Sequence, residues 1–125
     1  MRSLRLLVPA ILLFATGCHS AFIEATISNR TDKPISLVEL DYPSASFGTQ
    51  TLAPNQDFHY RFKVLGSGNL KLIYTDASNS EHNVLGPKLA EGDEGKLSIW
   101  VQPSAVSWLP ELKGRKTDDA TSTPN

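Results

Sequence analysis

The chain is poor in several things. Its 125 residues include one cysteine, one methionine and three histidines, and 12 Lys+Arg stand against 13 Asp+Glu. A single cysteine excludes an internal disulfide, and a chain this long does not need one, because it can bury roughly two-thirds of its surface. No excess of positive charge provides the phosphate-facing surface that a nucleic-acid binder requires. No block of like charge is long enough to read as a tail for an oppositely charged partner. The longest apolar run, Leu6 to Phe14, spans nine residues, whereas a bilayer core of ~30 Å takes about 20. The length leaves room for one domain.

The N-terminus has a pattern of its own. MRSLR carries Arg2 and Arg5 and no acid, and it precedes the short apolar run and the small residues Ala15, Thr16 and Gly17. This is the layout of a secretory signal peptide. Cys18 follows directly, and Phe14-Ala15-Thr16-Gly17-Cys18 resembles the lipobox of bacterial lipoproteins, with Ala15 where that family usually has Leu. The resemblance implies removal of residues 1–17, diacylglycerol on the Cys18 sulfur and an acyl chain on its amine. It also implies a lipid partner through Cys18, and His19, not Asp, in the next position resembles an outer-membrane address facing the periplasm. Without residues 1–17 the charge is 10 against 13. Residues 18–20 form a tether of only ~10 Å.

From 21 to 109 the texture is short apolar alternation cut by turn residues, with no helical period and no internal repeat. Strands are expected at 21–28, 35–42, 47–52, 57–65, 70–76, 81–85 and 96–102, with a short extended piece at 106–109. The expected fold is all-β, an antiparallel immunoglobulin-like sandwich of seven to eight short strands, without the Cys…Trp…Cys signature. From Pro110 onward the apolar content nearly vanishes and the segment reads as a disordered tail. ISNRTDKPISLVELDY, residues 27–42, resembles the opening hairpin of bacterial secreted Ig-like modules, and VELDYPSASFGT is similar to small envelope lipoproteins. Neither resemblance carries an activity.

The strongest alternation, Phe58, Tyr60, Phe62 and Val64 against His59, Arg61 and Lys63, predicts a hairpin with the strand after Gly66-Ser67-Gly68-Asn69. Phe62 would face Tyr74 and Val64 would face Leu72 across an odd loop. Arg61, Lys63 and Lys71 would then form a basic row on the outer face, suited to an acidic partner, to lipid phosphate or to a simple solvated surface. Trp100 falls opposite the inward Leu97, Ile99 and Val101, so it is either a ligand platform or covered by Trp108 and the returning chain. Tyr42 and Phe47 flank a Pro-set bend that reads as a recognition loop or as a plug for the core.

Chemistry is sparsely signalled. Gly66-Ser67-Gly68 lies between strands and not at the strand-to-helix elbow that a hydrolase serine needs. His59 alternates with cations, and neither His82 beside Glu81 nor the acidic loop 91–94 has metal-ligand spacing. No catalytic residue, metal or cofactor is expected. The reading is a non-enzymatic, membrane-anchored binding or assembly module, with an envelope protein or glycan as possible partner. The alternative is a glycan- or peptide-binding module that uses an aromatic platform.

Overall fold

The computed structural model describes residues 21–114; Cys18 and residues 115–125 lie outside them. Eight strands follow one another: β1 (Ile23–Asn29), β2 (Ile35–Tyr42), β3 (Ala45–Leu52), β4 (Asp57–Phe62), β5 (Gly68–Thr75), β6 (Glu81–Leu89), β7 (Gly95–Val101) and β8 (Val106–Leu112). They form two four-stranded sheets, β4-β1-β7-β8 (sheet A) and β3-β2-β5-β6 (sheet B). All pairings are antiparallel except β1 with β7 at the centre of sheet A, which is parallel. The all-β sandwich expected from the alternation is present, with a strand order of its own.

Alternation sets the inner faces. Ile23, Ala25 and Ile27 of β1 and Leu97, Ile99 and Val101 of β7 face Val38 and Leu40 of β2 and Leu70, Leu72 and Tyr74 of β5 in one buried core. Burying each large aliphatic side chain contributes about 1.5–3 kcal/mol. Aromatic side chains close the two open sides of the sandwich. Between edges β3 and β4, Phe47 stacks on Tyr60 at 4.1 Å between ring centroids, and Tyr42 lies 4.4 Å from Phe62. Between β6 and β8, Trp108 shares the inner face with its partner Ile99 and presses against Gly86. A Cβ on Gly86 would lie 2.6 Å from the indole, so this contact requires glycine.

Three expectations are corrected. The hairpin between β4 and β5 does not exist: β4 pairs with β1, β5 pairs with β2 and β6, and residues 63–67 cross between the sheets. Phe62 therefore lies opposite Ile23, and Tyr74 opposite His82. The alternation fixed the face each side chain takes but not the neighbouring strand. Next, β6 does not stop at Leu85. A register shift at Gly86-Pro87 lets it continue to Leu89, which an edge strand tolerates because Pro87 has no ladder bond to donate. Finally, β8 runs past residue 109 to Leu112. Pro110 sits opposite Leu97 on an edge, where its missing N–H costs nothing.

The turns at one end of the sandwich, which we call the distal end, are held by Asn29, fully buried. Its Nδ2 donates to the carbonyls of Lys33 (2.8 Å) and Leu52 (3.0 Å), while its Oδ1 accepts from the backbone N (3.0 Å) and Oγ1 (2.6 Å) of Thr31. Its own backbone binds Gln56 and Asn55. The side chain thus joins the β1–β2 turn to the end of β3, and the backbone of the same residue adds the β3–β4 turn.

Candidate functional site

The outer face of sheet A brings most of the chemistry together, because β1 and β7 each alternate apolar-in with polar-out and the parallel register aligns them. Three rows cross the sheet. The first is Arg61, Glu24, Lys96 and Glu111; the second His59, Thr26, Ser98 and Leu109; the third Asp57, Ser28, Trp100 and Ser107. The first row alternates in sign across every pairing, an order that favours each cross-strand contact and leaves no surplus charge. Glu24, Thr26, His59, Arg61, Lys96 and Ser98 line a shallow depression of about 500 Å³.

Within it, Thr26 Oγ1 and His59 Nδ1 share a hydrogen bond of 2.9 Å. Arg61 holds its guanidinium 4.1 Å from the centroid of the Phe22 ring, which fixes the chain just before β1. On the third row Trp100 is half-buried. The Arg30 guanidinium lies 4.9 Å from the centroid of its ring, and Ser28 beside it in the register is buried. Trp108 does not cover Trp100, because it points to the opposite face. Arg30, which sequence reasoning missed, covers it. A turn residue offers no periodic signal for where its side chain will lie.

The remaining candidates are dispersed. Phe47 is 8% exposed and, with Tyr42, belongs to the inner aromatic cluster; burial first, then Tyr60, raises the Tyr42 phenol above its usual value. Lys63 is exposed just beyond β4. Lys71 is on the outer face of sheet B, between Asp41 and Leu85, with Nζ 3.8 Å from Asp41. The basic row of Arg61, Lys63 and Lys71 is therefore corrected: β4 and β5 belong to different sheets, so these residues share no face. Asp41 also raises the carboxyl of Glu39 above its ordinary value, by a hydrogen bond first and by repulsion second.

A second polar cluster went unforeseen. At the distal end, His82 Nε2 lies 2.6 Å from Asp76 Oδ2 and its ring stacks on Tyr74, with centroids 4.7 Å apart. Asp76 Oδ1 accepts from the backbone N of Ser78 and of Ser80. Strand pairing of Tyr74 with His82 creates this arrangement, which linear spacing does not reveal. A hydroxyl–imidazole pair thus lies on sheet A and a carboxylate–imidazole pair on sheet B, so among the described residues these parts of a nucleophilic triad are not assembled in one place. Among the described residues, no group of three or more His, Cys, Asp or Glu is placed to hold a metal.

No family model matches the chain, and no curated protein matches it. Among solved structures, the fold is similar to the NMR structure of a protein from Eubacterium rectale. The TM-score is 0.54 at 11% identity, over 78% of this chain and 93% of that one. At that identity the likeness is one of fold alone.

Proposed function

We propose that this chain is a lipid-anchored module of the bacterial envelope that binds a protein partner at the membrane surface and performs no catalysis. The observation that carries the reading is the placement of Phe22. Its carbonyl accepts from the backbone N of Gly95 at 3.2 Å, and its ring lies under Arg61. The sandwich is therefore ordered from the third or fourth residue after Cys18, and the lipobox-like sequence leaves a leash of only ~10 Å. Two or three acyl chains on Cys18 supply stable anchoring at ~0.8 kcal/mol per buried methylene. The outer face of sheet A is the working surface in this reading. It combines Arg and Trp, residue types that dominate protein interfaces, with a polar surround and little net charge.

Replacing Cys18 with Ala is expected to move the chain from the membrane fraction to the soluble periplasmic fraction on cell fractionation. Retention of Cys18→Ala in membranes would refute the anchor. The aromatic-platform reading rests on Trp100 alone, since Tyr42 and Phe47 are engaged in the inner cluster. Arg30 already occupies one side of the indole, which favours a protein contact over sugar stacking.

A further inference from the structure

We infer that the sandwich stands on the membrane on one defined end, with the crossover 63–67 seated in the lipid headgroups and Leu65 as its apolar tip. This rests on the anchoring by Cys18 proposed above. Strand directions place five segments at one end: the chain entry at 21–22, the β2–β3 turn at 43–44, the crossover 63–67, the loop 90–94 and the exit of β8 at 113–114. The entry point is where the leash arrives, so this end is the one held within ~10 Å of the lipid. The distal turns, with Asn29 and the Asp76–His82 pair, face away.

Hydrogen bonds lace the anchored end into one plate. Leu65 N donates to Ser44 Oγ (3.4 Å), Gly92 N to the Val64 carbonyl (3.2 Å), Glu91 N to Ser67 Oγ (3.1 Å) and Lys113 N to the Glu94 carbonyl (2.8 Å). Val64 turns into the core and is fully buried, so its neighbour Leu65 is forced outward and is 53% exposed. Exposed Lys63 sits two residues before it, an ammonium placed to meet phosphate oxygens while Leu65 enters the apolar boundary. The acids on the plate are partly engaged internally: Glu94 Oε1 accepts from Lys113 Nζ at 2.9 Å, and Asp93 Oδ2 from Ala90 N at 2.7 Å. An apolar tip with a basic neighbour, beside the arriving leash, fits a lipid surface.

The test uses the full lipidated chain, with Cys18 intact, in vesicles of phosphatidylethanolamine and phosphatidylglycerol without other protein. An environment-sensitive dye is placed on Leu65→Cys or, at the distal end, on Ser78→Cys, both at exposed positions. The expected result is a several-fold loss of quenching by aqueous iodide at 65 relative to 78, with quenching by a lipid-borne spin label at 65 only. Equal iodide quenching at the two positions, in protein that floats with the vesicles, would overturn the orientation and leave the anchor standing. Protein that fails to float would overturn the anchor and this inference with it.

Discussion

Asn29 shows how one buried polar residue can hold several turns together. Asn and Thr are turn-forming residues, and the Thr31 hydrogen bonds to Asn29 are what an Asn-x-Thr stretch makes locally. The bond to Leu52, 23 residues away, was not legible, because nothing local announces it. In Asn29→Ala the carbonyls of Lys33 and Leu52 lose their donor at a fully buried position. Unfolding in urea should show a loss of about 2–3 kcal/mol with an unchanged denaturant slope. A loss below about 0.5 kcal/mol would mean that water replaces the amide, and the hub account would fail. Leu37 illustrates the opposite limit. It sits at φ 49° in a β-bulge of β2 and is 60% exposed; alternation counted from Ile35 would turn it inward, but the bulge puts both Ile35 and Val38 in the core. A bulge inverts the alternation locally, so period-two reasoning fails there.

At the scale of elements, strand existence and facing were readable because each strand is half-buried and alternates. Partners were not readable, because pairing is decided by strands far apart in sequence. β4 has its clearest alternation pointing at the core, yet its neighbour is β1, and the hairpin its turn residues advertise is a crossover. The outer-face site inherits this division. Glu24 and Thr26 and, separately, Lys96, Ser98 and Trp100 were legible as outward, while their meeting across a parallel pair was not. The β5–β6 turn carries a pH signature. The hydrogen bond from His82 first and that from the Ser80 backbone next hold Asp76 below its usual carboxylate value, against the opposing effect of burial, with the Ser78 backbone adding a lesser part. A carboxylate with a lowered folded-state pKa contributes stability that is fully present above its unfolded-state value and lost as pH falls through the folded one. Urea midpoints should therefore fall more steeply below about pH 4 for the native chain than for Asp76→Asn, the two curves converging in acid. Parallel curves would show that the turn stores no such stability.

For the molecule as a whole, the proposed membrane orientation has two candidate sources, the proposed leash and the end of the sandwich beside it. The strands rise ~3.3 Å per residue, so the body is about 25–30 Å tall, and a leash of ~10 Å cannot turn it over. Inserting about ten Gly and Ser residues between Ser20 and Ala21 raises the maximum reach to about 45 Å while leaving the proposed lipid attachment at Cys18 untouched. If the leash sets the orientation, membrane partition stays the same. The dye at Leu65→Cys then loses most of its shielding from iodide, approaching the value at Ser78→Cys. The lengthened chain should also release the outer face of sheet A from its fixed height above the lipid, so a partner embedded in the membrane would crosslink to it less efficiently. Persistent shielding at 65 would instead assign the orientation to the affinity for lipid of the rest of the crossover end, Lys63 included. In that case the crossover between the two sheets, and not the three residues 18–20, would set how the domain is presented.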